Sequence, residues 1–308
     1  VGVGNVGRLV VKKAQSLGLR VFQNDPPREE EEAGGPSSDE SEAGGPSSDG
    51  SEVEGPSSDG SEARSQRSEV RDRKPDGQGK EFVPLDRILA ESDIITFHVP
   101  LTKTGRHATY HMADRVFFDA MKPGTIFFNC ARGPVLVTDE LLRVMAARRI
   151  SHAVIDTWEG EPAYRPDLLA RADITTPHIA GHSFEGKVMG TVIVYRKVCE
   201  FLGVKPTWSH EHLLPAPLVP DIRLKVPDGM KDEEALWRVV RPVYDIEADD
   251  RRMREGAGLP DADRAEHFDR LRREYPMRRE FRYTRVTMTG ASAGLRAKVA
   301  ALGFSVVP

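Results

Sequence analysis

Glycines at positions 2, 4 and 7 run straight into apolar residues at helical spacing (Val6, Leu9, Val10, Ala14), and this constrains the chain more than any other feature. The pattern G-x-G-x-x-G between a strand end and a helix start has few structural solutions. Gly2 permits a tight turn, Gly4 lets a ligand approach the backbone, and Gly7 lets helix and strand pack closely. The unbonded N–H groups of the first helical turn, which includes Asn5 and Val6, lie at the positive end of the helix dipole and favour a phosphate. Leu19 to Phe22 reads as the next apolar strand, and Asp25 follows it. A carboxylate about 20 residues beyond the glycines can hydrogen-bond a ribose hydroxyl and repels a 2′-phosphate, so NAD is expected rather than NADP.

The composition then changes abruptly. AGGPSSDESE (33–42), AGGPSSDGSE (43–52) and VEGPSSDGSE (53–62) are three copies of a ten-residue repeat. Ser, Gly, Pro and carboxylates cannot bury enough apolar surface to offset the entropy of ordering, so residues 29–80 are expected to be a disordered acidic insertion. No repeat carries a hydrophobic face, which argues against a solenoid. Between Glu29 and Glu62 there are twelve acids and no Lys or Arg, so outside this tract 44 basic residues face 36 acidic ones. The remaining body is mildly basic and suits an anionic ligand.

After the insertion an α/β rhythm resumes. Helices are expected at Leu85–Ala90, Ala113–Met121, Asp139–Arg149 and Phe184–Leu202, and strands at Asp93–His98, Thr125–Asn129, Ser151–Asp156 and Asp173–Thr176. Strands alternating with helices imply a doubly wound parallel sheet of the Rossmann type. A length of 308 residues suggests about two domains. The expected division is a cofactor-binding and catalytic domain over 1–206, a Pro-rich linker over 207–220, and a small α+β domain over 221–308. Helices near Glu233–Val243 and Ala262–Arg273 and strands near Arg285–Thr289 and Phe304–Val307 are its elements. Two cysteines, Cys130 and Cys199, make no disulfide framework or metal motif and suit a reducing cytoplasm. No apolar run approaches the ~18–20 residues of a membrane span, and neither a membrane nor a nucleic-acid partner is expected.

Three more motifs stand at the ends of later strands, where open α/β sheets bind ligands. Arg132 lies in FFNCARG, Asp156 and Glu161 in AVIDTWEGEP, and His178 in TTPHIAGHS. Together with GVGNVG, these segments resemble the D-2-hydroxyacid dehydrogenase superfamily. The resemblance implies that Arg132 holds the substrate carboxylate, a task suited to a permanently charged guanidinium fork. It makes His178 the acid–base group and Glu161 the carboxylate that orients the imidazole. Asp156, Val99 and Gly181 would contact the cofactor, Asp156 at the nicotinamide carboxamide. The remaining histidines and Cys130 are expected to be surface or packing residues.

Other segments resemble the branch of that superfamily acting on a four-carbon phosphorylated hydroxyacid: DPPR from Asp25, PHIAGHSFEGKVMGT from Pro177, LLPAP from Leu213, and VYDIEADDRRMR from Val243. This implies a phosphorylated substrate and a C-terminal domain that makes a homodimer. The chain departs from that pattern at Val99, where a Thr is usual, and at His182, where a substrate-contacting Tyr is usual. The family has a substrate domain ahead of the glycine turn, so the sequence reads as N-terminally incomplete and is expected to be inactive alone. Two alternatives stand beside this reading: another 2-hydroxyacid dehydrogenase, or an NAD-sensing binding protein that docks partners through the acidic repeats.

Overall fold

The computed structural model describes residues 1–32 and 82–307. The glycine turn leads into α1 (Asn5–Ser16), followed by α2 (Pro26–Glu32) and α3 (Leu85–Glu91). Then come β1 (Ile94–Phe97), α4 (Arg115–Ala120), β2 (Thr125–Asn129), α5 (Thr138–Ala146), β3 (Ile150–Ile155), α6 (Pro166–Arg171), β4 (Ile174–Thr175) and α7 (Phe184–Phe201). Strands β1 to β4 lie side by side in that order, all parallel. Helices cover both faces of such a sheet, so its strands read as apolar runs. Phe97 and Phe127 are fully buried on neighbouring strands with ring centroids 5.6 Å apart, and their rings meet Phe117 and Phe118 of α4 at 5.5 and 5.4 Å. Asp114 accepts from Phe117 N at 3.0 Å and thereby sets the start of α4, two residues later than the apolar pattern suggests.

Two expectations fail. Leu19–Phe22 forms no strand; only an isolated bridge joins Gln23 to Phe82. Beside it lie Val1 and Gly2, with Gly2 N donating to Asn24 O and His98 N to Val1 O, each at 2.8 Å. Gly2 turns the backbone at φ +83°, which ends the bonding along this edge. Secondly, Glu29 to Glu32, assigned to the disordered tract, end α2. Pro26 and Pro27 preset the helical φ at its start, and Glu30 pairs with Arg106 at 3.1 Å and His107 at 3.4 Å. The expectation of disorder for the repeats falls on residues 33–80, outside the described part.

The C-terminal third contributes β5 (Asp221–Lys225), α8 (Asp232–Val240), α9 (Ile246–Arg254), α10 (Asp261–Arg273), β6 (Arg285–Thr289), α11 (Ala293–Leu302) and β7 (Ser305–Val307). Here the three strands of the expected α+β unit are again parallel, in the order β5-β6-β7. Val286 and Met288 pack with Ala235 and Val239 of α8 and Leu295 and Val299 of α11 in a core of their own. Helices α9 and α10 instead join the first core through Met253 and Phe268. Asp250 on α9 accepts the N–H and hydroxyl of Thr175 in β4, both at 2.7 Å, and Arg254 donates to the carbonyls of Leu169 and Ala172. The ring of Phe268 lies 5.6 Å from Tyr164, which lies 5.1 Å from Trp158. Among the described residues, no helix is long and apolar enough to cross a membrane.

Replacing Phe268 by Ala removes one end of this aromatic chain and leaves a cavity, at a cost of about 3–5 kcal/mol. Urea unfolding is expected to show that loss together with altered Trp158 fluorescence in the native baseline. An unchanged midpoint would show that α10 contributes little to the first core.

Candidate active site

The glycine turn closes against the end of β1. Gly2 sits at φ +83°, and a Cβ there would stand 2.7 Å from the His98 carbonyl carbon and 2.8 Å from Val99 Cγ1. A Cβ on Gly7 would lie 2.1 Å from Gly2 O, so the first helix turn packs directly onto the loop. Gly4 faces open space, and no side chain caps the N-terminus of α1. Asp25 Oδ2 accepts Val3 N at 2.6 Å, while Oδ1 has only a 3.4 Å contact from Arg28 N. An uncapped helix start, an open approach at Gly4 and a carboxylate with a weakly used oxygen fit a dinucleotide's pyrophosphate and ribose. Val99 touches this turn through its methyl groups and has no hydroxyl to offer.

The catalytic candidates lie at the carboxyl ends of β2, β3 and β4. After β2, Asn129 bonds Arg132 O (3.1 Å) and Ala131 N (3.3 Å), holding the turn that presents Arg132. The exposed guanidinium donates from Nη1 to Ala131 O at 2.8 Å. The next residue must be glycine: a Cβ on Gly133 would stand 1.9 Å from Trp158 O. That contact brings the Arg132 turn onto the loop after β3. In this loop Trp158 donates its indole N–H to Thr176 O (2.9 Å) and its backbone N–H to Glu161 Oε2 (3.0 Å). Glu161 Oε1 then meets His178 Nδ1 at 2.5 Å. The indole bond ties the two loops into one assembly.

His178 adopts φ +55°, a left-handed conformation that costs a side-chain-bearing residue free energy. The restraint comes from Asp156, which is only 3% exposed. Its carbonyl accepts His178 N at 2.7 Å. One carboxylate oxygen accepts Ile179 N and the Thr176 hydroxyl at 2.7 and 2.6 Å, and the other accepts Ala180 N at 3.1 Å. Expected at the nicotinamide, Asp156 is here the anchor of the histidine loop, with one lone-pair position left on Oδ2.

Burial pushes the Glu161 carboxyl's pKa up, but the bonds from His178 and Trp158 N–H, with the charges of His178 and Arg272, outweigh it and hold the pKa below the usual value. His182 follows the exposed Gly181, and its ring lies edge-on to Tyr275 at 5.8 Å. Burial, then the charges of Lys187, Arg272, His178 and Arg278, push its pKa down to about 4, so it is neutral near pH 7. Cys130 is pushed up to about 12 by burial and by Asp156, which suits a packing role.

The sequence reading passed over a second histidine–carboxylate pair. His111 Nε2 lies 2.6 Å from Glu159, which also accepts Thr138 N at 3.0 Å, while His111 N donates to Pro134 O at 2.8 Å. This pair fastens the Arg132 turn to the Trp158 loop from the far side. Only the position of Glu159 inside the W-E-G-E-P motif could have signalled it. The arginines of α10 and the segment after it were also missed, since nothing in their spacing links them to His178.

Fold and site together define a dehydrogenase with an NAD-binding domain. Residues 63–180 match the NAD-binding domain of D-isomer specific 2-hydroxyacid dehydrogenases, and residues 213–303 match a domain of unknown function. More particularly, the chain belongs to the erythronate-4-phosphate dehydrogenase family. It is 36% identical to the enzyme of that name from Pseudoalteromonas translucida, over 99% of this chain and 67% of the relative. It is 35% identical to that of Pseudomonas paraeruginosa, over 100% of this chain and 68% of the relative. A D-lactate dehydrogenase from Aquifex aeolicus, solved with NAD and lactic acid, is 30% identical over 39% of this chain and 40% of its own, with a TM-score of 0.34.

Two outcomes follow from this packing. Gly133→Ala forces the Arg132 turn off the Trp158 loop and is expected to abolish turnover while leaving far-ultraviolet dichroism intact. Wild-type kinetics in that variant would show that the two loops need not touch. Cys130, protonated well above pH 8, is expected to resist iodoacetamide in the folded protein and to react fully in urea. Rapid labelling at pH 8 without denaturant would contradict its burial.

Proposed function

We propose that this protein oxidises the 2-hydroxyl of 4-phosphoerythronate to 3-hydroxy-2-oxo-4-phosphooxybutanoate with NAD, a step of pyridoxal phosphate synthesis in the cytoplasm. The observation that carries this reading is the 2.5 Å contact between Glu161 and His178 at the carboxyl edge of the sheet, on a loop assembly shared with Arg132. NAD, when bound, supplies the acceptor for the hydride that leaves C2. Arg132 holds the substrate carboxylate with the N–H groups not used on Ala131 O. His178 Nδ1 is occupied by Glu161, so Nε2 faces the hydroxyl and takes its proton as the carbonyl forms. Glu161 stabilises the imidazolium that results. Gly2, Gly4, Asn5, Val6 and Gly7 receive the pyrophosphate, Asp25 the ribose, and Val99, Asp156 and Gly181 line the nicotinamide end, with His182 toward the substrate.

The domain boundaries belong to the same proposal: residues 1–206 bind cofactor and carry the acid–base pair, 207–220 link, and 221–308 form a homodimer contact. The Tyr-to-His change at position 182 keeps a ring N–H donor in its neutral form.

His178→Gln is expected to lower kcat by about 10²–10⁴-fold, the usual worth of a positioned acid–base group. Glu161→Gln is expected to shift the pH profile of kcat/KM while cofactor affinity is retained. The carboxylate's depressed pKa means that its support for the imidazolium is present above the ordinary glutamate range and is lost as pH falls through its lower folded value. NADH formation from 4-phosphoerythronate across pH 5–9 tests both variants. A His178→Gln protein of undiminished rate would end this reading.

A further inference from the structure

The last turn of α10 and the segment after it are crowded with arginines, and most have a side-chain acceptor. Arg270 bonds His267, Arg273 pairs with Glu266 and Glu274, and the buried Arg279 pairs with Glu185. Two are left over. Among the described residues, Arg272 makes no ion pair, and its Nε is buried without any hydrogen-bond partner. Arg278 has no carboxylate partner either; it donates to Ile179 O at 3.2 Å and lies over the rings of Tyr244 (4.1 Å) and Tyr275 (5.7 Å). A half-buried guanidinium without a counter-ion is costly, and a bound anion relieves that cost.

Arg278 adjoins the loop that carries His178. Arg278 grips the carbonyl of Ile179, the residue after His178, and its own carbonyl accepts Phe184 N at 2.7 Å. Tyr275 lies between Arg278 and His182, with its hydroxyl tied to Asp249 at 2.8 Å. Arg272 is close enough for its charge to act on both Glu161 and His182. Lys187, in the first turn of α7, also acts on His182. Three cations thus converge on one neutral imidazole, while the carboxylates nearby, Glu161 and Asp249, are committed to His178 and to Tyr275 and Arg252.

We propose that Arg272 and Arg278, with Lys187 at the rim and His182 between them, form a phosphate subsite that holds the far end of the hydroxyacid while Arg132 holds its carboxylate. This rests on the reading above and deepens it: the segment after α7 supplies substrate recognition as well as packing. The tetrahedral phosphate meets the terminal amino groups of Arg272, which pair with no carboxylate among the described residues, and the reacting carbon lies between two fixed anionic ends. Such a site discriminates against the same acid without phosphate, because the half-buried guanidinium then stays unpaired.

Inorganic phosphate is the first probe. Calorimetry on the full chain is expected to show phosphate binding, weakened about 10–100-fold in Arg272→Met, the range for losing a charge-assisted hydrogen bond, and largely restored in Arg272→Lys. Kinetics give the second readout: in Arg272→Met the ratio of kcat/KM for 4-phosphoerythronate over erythronate is expected to fall by a similar factor. Equal phosphate binding by wild type and Arg272→Met, no phosphate binding at all, or equal losses on the two substrates would overturn the subsite. Phosphate binding that depends on Arg272 without any turnover of 4-phosphoerythronate by the wild type would uphold the subsite and refute the proposed reaction.

Discussion

The buried carboxylate of Asp156 is the interaction on which the site's geometry rests. His178 has to leave the sheet at φ +55°, and nothing in its own chemistry favours that conformation. Four bonds to Asp156 impose it, one to the backbone carbonyl and three to the side chain. Charge-assisted bonds inside a low-dielectric core are strong enough to offset the ~1–3 kcal/mol of a strained backbone. The imidazole therefore meets Glu161 without having to search for it. A loop held only by solvent-exposed bonds would have to order itself before each proton transfer, and the rate would carry that cost.

Rigidity spreads from there by close contacts. The Trp158 indole fixes the loop after β3 to the one after β4, and the absence of a Cβ at Gly133 seats the Arg132 turn against Trp158 O. From the other side His111 and Glu159 clamp the same two loops. The aromatic chain Trp158–Tyr164–Phe268 carries the contact into α10. Helices that follow the linker in sequence are thus part of the floor beneath the site. This explains how residues about a hundred positions downstream of His178 come to act on Glu161 and His182.

What could be read in advance follows from the physics of each element. Thr125–Asn129 was legible because its centre, Ile126–Phe128, is the apolar run of a parallel strand covered on both faces. The helix Phe184–Phe201 was legible because its length and Ser183 cap leave little choice. By contrast α9, with sequence IEADDRRMR, buries only Asp249 and Met253, so it has almost no hydrophobic periodicity to detect. Helix α2 was hidden inside an acidic run whose charges are balanced by Arg106 and His107, far along the chain. Arg132, Glu161 and His178 were visible because each sits in a motif at a strand end. Arg272 was invisible: a charged residue on a polar helix looks the same whether it faces water or a catalytic pair.

The distribution of unpaired charge gives the site its direction. The glycine turn and the uncapped start of α1 offer donors to one anion, Arg132 offers a fork to a second, and Arg272 with Arg278 offers donors to a third. Neutralised arginines elsewhere on α9 and α10 show that pairing was available locally; Arg251, Arg252, Arg254 and Arg264 all have carboxylate partners. Burial first, and then the charges of Lys187, Arg272, His178 and Arg278, depress the protonation of His182. That imidazole is therefore kept neutral, a donor through its ring N–H, while His178 alone retains a carboxylate partner and the means to carry a proton. The division of labour between the two histidines follows first from the burial of His182 and then from the neighbouring charges, a carboxylate beside His178 and cations beside His182.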